Sequence, residues 1–470
     1  MCLPERPSPG ARAGSDRGMG GLRAQFPPGF QFGVATSAYQ IEGHAQGGAG
    51  STHWDSFAAT DSNVTNCATG AVTCDHYRRW AEDLDLAAAA NFDVWRFSAS
   101  WARVLPQGRG AANPDGLDFY DRLVDGMLAR GLKPALTLYH WELPAALADR
   151  GGWQNRDIAG WFADYSRILV DRIGDRLWSV APINEPWCAG WLGYFRGQHA
   201  PGLRDIRAAA RAMHHLLLAH GRAIAVLRAQ GIGNLGAVCN LEAVRPAGGG
   251  SAREAAMARE AALTHDAILN RFFLSAMFRG AYPETALTGL APHLPQGWEK
   301  DFATFAAPLD WLGVNYYTRA TLAGDAAPQA PWPHGREIPG PRPKTDMGWE
   351  VFPEGLFESL QMVDRDYSRG LPLIVTENGS AWPEATGGGP INDGARIAYL
   401  KAHLEQVLRA LRAGIPVRGY YIWSLLDNFE WAHGYDKRFG LVAVDFESLK
   451  RTPKASYDWV SHALARSALP

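Results

Sequence analysis

From Phe26 onward, short apolar runs alternate with longer stretches of helical spacing about eight times. The runs are Gln31–Ser37, Asp93–Ser98, Lys133–Tyr139, Leu177–Glu185, Leu235–Asn240, Leu309–Asn315, Leu371–Glu377 and Val417–Ser424. They are continuous rather than alternating, as strands buried on both faces are. Helical spacing separates them, most clearly over Trp80–Ala90, Ile206–Gln230 and Ala252–Phe278. Repeated strand–helix units predict a parallel sheet, and eight in one chain predict an α/β fold closed as a (β/α)8 barrel. No G-x-G-x-x-G follows the first run, which argues against a dinucleotide-binding sheet. No linker divides the chain, so residues 26–470 read as one barrel domain. Gly248–Gly250 and the Pro-rich Ala327–Pro343 segment read as long insertions after strands.

Polar groups collect at the ends of these runs. Leu371–Thr376 ends in Glu377 and an Asn-Gly turn; Leu177–Ile183 ends in Asn184-Glu185 and is stopped by Pro186. A buried carboxylate without a partner is costly, so two of them at strand ends call for a chemical reason. Paired carboxylates are what a retaining glycosidase uses, one as nucleophile and one as acid and then base. Gln40, Arg96, His140, Asn315 and Trp423 stand at corresponding strand ends, the side on which barrel enzymes build their sites. Arg96 offers the cation an ionised Glu377 needs. Asn315 and Tyr317, two apart on one strand, face the same way with Tyr316 turned outward.

The composition changes this picture little. Of 470 residues 47% are hydrophobic and 20% charged, and the net charge is −2. That balance suits a large core and gives no electrostatic case for nucleic acid or an anionic membrane. No run is long enough for a transmembrane helix. Eighteen Trp are an excess suited to stacking on sugar faces as well as to packing. Five cysteines without metal-type spacing, and an N-terminus without an apolar leader, lead to an expected cytoplasmic location with free thiols. Residues 1–25 read as a disordered extension or a mis-assigned start, with Met19 the alternative. His214, His215 and His220 lack the ligand spacing of a zinc helix and read as a solvated or core face, so neither metal nor cofactor is expected.

Together these segments resemble family 1 glycoside hydrolases, the β-glucosidase family, from Phe26 to Leu464. The resemblance rests on Phe32–Gly43, Arg96-Phe97-Ser98, Tyr139-His140-Trp141, Asn184-Glu185-Pro186, Asp346–Glu350, Thr376–Gly379 and Trp423–Trp431. It implies that Glu377 is the nucleophile and Glu185 the acid/base, supported by Arg96, Asn315 near Glu185, and the Tyr317 hydroxyl on Glu377. It further implies sugar contacts from Gln40, His140, Trp141, Asn184, Trp423, Glu430 and Trp431, with Trp349 on the leaving-group side. Small β-glucosides or cello-oligosaccharides are the implied partners, with fucosides and galactosides next; the oligomeric state is left open. Glu430 stands where members acting on phosphorylated glycosides usually lack a carboxylate, implying rejection of a 6-phosphate by like charge. Glu185 stands where plant thioglucosidase members have Gln. His433 falls at a position that varies in the family. A transglycosidase of the same fold and a glycan-binding pseudoenzyme are the alternatives, and the presence of both carboxylates argues against the latter.

Overall fold

All eight apolar runs form strands in the computed structural model, which describes residues 21–324, 332–384 and 390–465. They are β1 (Gln31–Ala35), β2 (Val94–Ser98), β3 (Lys133–Tyr139), β4 (Ser179–Ile183), β5 (Gly236–Pro246), β6 (Trp311–Ala323), β7 (Leu373–Asn378) and β8 (Val417–Trp423). All pair in parallel in the order β4-β3-β2-β1-β8-β7-β6-β5. Parallel bridges from Val180 to Leu235 and from Asn184 to Val238 join the two ends of that order and close the barrel. The fold is a (β/α)8 barrel.

The barrel is plugged below its mouth by one layer of inward-facing residues: Val94, Ala135, Ala181, Val238, Trp311, Ile374 and Tyr421. β1 contributes Gly33, where a Cβ would lie 2.4 Å from the Tyr421 ring, so the missing side chain makes room for that ring. Such layers make a packed core of a barrel rather than a pore. Side chains recur on one face every second residue. Arg96, Thr376 and Trp423 therefore follow Val94, Ile374 and Tyr421 one step nearer the mouth, and Asn315 follows Trp311 two steps on.

Several boundaries differ from the expectation. Residues 21–25 belong to the packed structure rather than to an extension ending at 25. Leu22 is buried, and Arg23 ion-pairs with Asp93 at 2.8 Å and donates to the Asn91 and Leu464 carbonyls. Residues 1–20 lie outside the described residues. The helix expected over Trp80–Ala90 starts at His76 and spans His76–Ala89. The single helix expected over Ala252–Phe278 is interrupted: Ala252–Asp266 and Phe272–Arg279 flank a wide π-type turn at Ala267–Arg271. Such turns interrupt helices where one extra residue must be accommodated. The helix Ile206–Ala229 matches closely, its first amides accepted by Asp205 at 2.7 and 3.1 Å.

The largest difference is in β5 and β6. They do not stop at Asn240 and Asn315 but continue paired to Pro246 and Leu322, beyond the barrel mouth. Arg336–Glu337 returns along that extension, antiparallel to β6. Of the Pro-rich insertion, residues 327–331 fall outside the described residues.

His214, His215 and His220 lie in the core. His214 bonds the Tyr282 hydroxyl and Asp301, both at 2.9 Å, and His215 bonds the Trp153 carbonyl at 2.9 Å. Among the described residues the four cysteines are unpaired; Cys67 is exposed while Cys74, Cys188 and Cys239 are buried. Thiol titration of the unfolded protein is expected to find five free thiols, and a count of three would reveal a disulfide. In the native protein Cys67 is expected to react ahead of the three buried ones.

Candidate active site

The barrel mouth opens into a cavity of about 600 Å3. Ten of the expected side chains line it: His140, Trp141, Glu185, Asn315, Tyr317, Trp349, Glu377, Trp423, Glu430 and Trp431. Gln40, Arg96 and Asn184 stand behind this wall, buried, with Arg96 and Asn184 hydrogen-bonded to groups that line it.

Both strand-end carboxylates reach the cavity through a break in regular strand geometry. Strict alternation would send Thr376 and Glu377 to opposite faces. The register of β7 shifts against β6 between Val314 and Asn315, and against β8 between Val375 and Asn378. Irregularities of this kind re-aim side chains beside active sites. Thr376 thus donates to Asn315 Oδ1 at 2.6 Å while Glu377 bonds Arg96 and Tyr317. On β4 the break is in the backbone. Glu185 has φ 45°, in the left-handed region that a non-glycine residue occupies only under constraint. Trp141 (φ 81°) and Trp431 (φ 49°), both in the cavity wall, share that conformation.

A chain of hydrogen bonds links the two carboxylates. Arg96 Nη1 pairs with Glu377 Oε1, and its Nη2 donates to Asn184 Oδ1 at 2.6 Å. Asn315 Nδ2 donates to the same Asn184 oxygen at 3.1 Å and to Glu185 Oε1 at 2.6 Å. The Tyr317 hydroxyl donates to Glu377 Oε2 at 2.7 Å. Glu377 therefore has a cation on one oxygen and a hydroxyl on the other. Glu185 sits differently. Burial, and then the charge of Glu377, push its carboxyl up to about 8, against the pull of Asn315.

The remaining wall is aromatic and polar. Trp423 is buried at the floor and stacks on His140, with centroids 5.7 Å apart. Trp141 and Trp431 meet at 4.8 Å, and the Trp141 indole donates to the Asn184 carbonyl at 3.0 Å. Burial keeps His140 neutral, and Asn184 Nδ2 sits 3.2 Å from its Nε2. The other ring nitrogen, Nδ1, is buried without a hydrogen-bond partner among the described residues. Trp349 packs 5.4 Å from Tyr317 on the opposite side. Gln40 donates both amide hydrogens, to Asn428 Oδ1 at 3.0 Å and the Phe429 carbonyl at 2.9 Å, and so holds the segment carrying Glu430.

Glu430 changes one expectation. Burial, then the charges of Glu377 and Glu185, push its carboxyl up to about 8, and its Oε2 has no hydrogen-bond partner among the described residues. A carboxyl that holds its proton more readily can donate as well as accept a hydrogen bond, and carries less of the like charge on which the expected exclusion of a 6-phosphate rests.

Cavity residues beyond those expected come mainly from the segment after β4, which supplies Cys188, Arg196 and His199, with Asn240 and Glu242 added from β5 and Glu337 from the returning segment. Asn240 and Glu242 continue the period-two register of β5, a signal hidden by the strand's apparent end at Asn240. Cys188 follows Glu185 by three residues, so it returns to the same side within one helical turn.

The glycosyl hydrolase family 1 model matches residues 22–468. β-Glucosidase A of Thermotoga maritima is 43% identical over 450 residues, covering 95% of this chain and 99% of that one. A bifunctional β-D-glucosidase/β-D-fucosidase of Bifidobacterium breve is 41% identical over 464 residues, covering 94% and 98%. A solved structure of Thermotoga maritima β-glucosidase in complex with glucoimidazole superimposes with a TM-score of 0.88 at 42% identity, covering 93% of this chain and 97% of that one. With barrel, paired carboxylates and whole-length similarity in agreement, the chain belongs to glycosyl hydrolase family 1.

Proposed function

We propose that the protein is a retaining β-glycosidase that removes terminal β-D-glucosyl residues from small β-glucosides or cello-oligosaccharides, with β-fucosides and β-galactosides as further substrates. The observation that carries this reading is the contrast between the carboxylates: Glu377 is paired with Arg96 and Tyr317, while Glu185 keeps its proton to about 8. The names of the Thermotoga and Bifidobacterium relatives support the glucoside and fucoside assignments.

In this mechanism a Glu377 oxygen attacks the anomeric carbon as the bond to the leaving oxygen breaks. Glu185 delivers its proton to that oxygen, so the aglycone departs as an alcohol. The Tyr317 hydroxyl and Arg96 orient the nucleophile. Ester formation removes the charge of Glu377, one of the two causes holding the Glu185 proton. Glu185, now ionised, takes a proton from water as its oxygen attacks the anomeric carbon, and Glu377 is released with net retention. The neutral His140, the Glu430 carboxyl and the Asn184 amide, above the Trp423 floor, suit recognition of sugar hydroxyls. An acceptor alcohol in place of water would give transglycosylation by the same steps.

The pH dependence follows with its sign. Glu185 must carry a proton to act, so kcat/KM is expected to fall as the pH rises through about 8. That limb belongs to the coupled carboxylate pair rather than to one residue alone. The test is Glu185→Gln with a dinitrophenyl β-glucoside, whose leaving group needs no proton. The alkaline limb should vanish in the variant. Its persistence would remove Glu185 from the acid role. A panel of chromogenic β-glucoside, β-fucoside and β-galactoside then ranks the substrates.

A further inference from the structure

The hydrogen bonds of the Asn184 side chain run in one direction. Its Oδ1 faces Arg96 Nη2 at 2.6 Å and Asn315 Nδ2 at 3.1 Å. A guanidinium only donates, so this atom is the carbonyl oxygen and the amide cannot be turned over. The Asn184 backbone is fixed as well: its N–H donates to the Tyr139 carbonyl at 2.9 Å, and its carbonyl accepts from the Trp141 indole at 3.0 Å. Nδ2 is therefore a donor, and it stands 3.2 Å from His140 Nε2. The imidazole lies near parallel to two indoles, at 21° to Trp423 and 14° to Trp431, so its plane is set too. Burial, and then the charge of Arg96, keeps the ring neutral, with one proton for two nitrogens. A proton on Nε2 would set two N–H groups against each other across 3.2 Å. A proton on Nδ1 leaves Nε2 a lone pair for the Asn184 amide. Nδ1 is buried, and among the described residues no donor faces it to oppose that choice.

We propose that Asn184 is a positioning residue that holds His140 as its Nδ1–H tautomer, so that His140 meets a sugar hydroxyl as a hydrogen-bond acceptor through Nε2. The direction is set from the far end of the chain of bonds. Arg96, paired with Glu377, turns a donor to Asn184 Oδ1, and Asn184 turns its own donor to His140. The ion pair of the nucleophile and the recognition of the sugar thus share one polarity. A hydroxyl that reaches Nε2 must give its proton, which a deoxy, O-methyl or fluoro group cannot do. The inference deepens the β-glycosidase reading and rests on it for the sugar, though not for the tautomer.

The experiment reads the imidazole nitrogens of 15N-histidine-labelled protein by NMR, with His140 assigned by its loss in His140→Phe. Wild type near neutral pH should show the proton on Nδ1 and a bare Nε2. A proton on Nε2 overturns the proposal. Asn184→Asp puts an acceptor where the amide donates, and should move the proton to Nε2. An unchanged Nδ1–H form in that variant overturns the role of Asn184, and where the variant does not fold the wild-type spectrum still decides the tautomer. Recognition is tested by binding of glucose and its monodeoxy and monofluoro analogues, read from tryptophan fluorescence. The hydroxyl served by His140 is the one whose removal weakens binding to wild type but not to His140→Phe. There the fluoro analogue should bind as weakly as the deoxy analogue, about tenfold below glucose. A fluoro analogue that keeps the affinity of glucose at that position overturns the acceptor role. Neither measurement needs turnover, so a failure to hydrolyse glucosides would sink the activity reading alone.

Discussion

Glu377→Ala and Glu185→Ala are each expected to abolish most turnover of natural glycosides, and azide should restore product of opposite anomeric form in the two. Losing the acid removes on the order of 10²–10⁴ of rate when the leaving group needs a proton. Losing the nucleophile removes the covalent path itself, so the deficit should be larger and insensitive to the leaving group. In Glu185→Ala the glycosyl ester on Glu377 still forms with an activated substrate, and azide attacks it from the opposite face to give a β-azide. In Glu377→Ala azide enters in place of the missing carboxylate and gives an α-azide. Product stereochemistry by NMR decides between the roles, and swapped anomers would reverse the assignment. Folding should survive Glu185→Ala, which removes a carboxylate that is costly to bury. Glu377→Ala, by contrast, strands the buried Arg96 guanidinium and should cost about 3–5 kcal/mol, so its urea midpoint is measured beside its activity.

Arg96→Met is expected to harm stability and activity together. The Arg96 and Glu377 side chains are 3% and 4% exposed, so the change strands a buried carboxylate. Breaking a buried pair from one side costs about 3–5 kcal/mol. The urea midpoint should fall accordingly. Turnover should fall on the order of 10²–10³, the usual effect of deleting one preorganised electrostatic group. Asn184 also loses the 2.6 Å bond that holds its Oδ1, and through the shared oxygen the position of Asn315 loosens. Arg96→Lys keeps a charge but not the fork that reaches Glu377 and Asn184 at once, so it should recover stability better than activity. An Arg96→Met protein within about threefold of wild-type kcat/KM would show that the guanidinium does not organise the pair.

The sequence by itself determined the barrel and both carboxylates at its mouth, with eight further side chains of the cavity wall. Strands buried on both faces must be apolar throughout, so the eight runs stand out, and a polar residue ending such a run is conspicuous against them. Period-two spacing also correctly turned Tyr317 toward the cavity and Tyr316 to the Phe352 carbonyl outside the barrel. Pairing between distant segments decided what local patterning does not contain. β5 and β6 extend past the mouth because each satisfies the other's backbone there, although neither remains apolar; Glu242 comes with that extension. The register shifts of β7 and the left-handed φ of Glu185 arise where neighbouring strands hold the chain against its regular geometry. Those two irregularities put Thr376 and Glu377 to work on one side, and Asn184 and Glu185 on another. Whether a carboxylate keeps or loses its proton was also a tertiary matter. It depends on burial and on which charge stands opposite, and Arg96, Asn315 and Glu430 reach the pair from strands and loops remote in the chain.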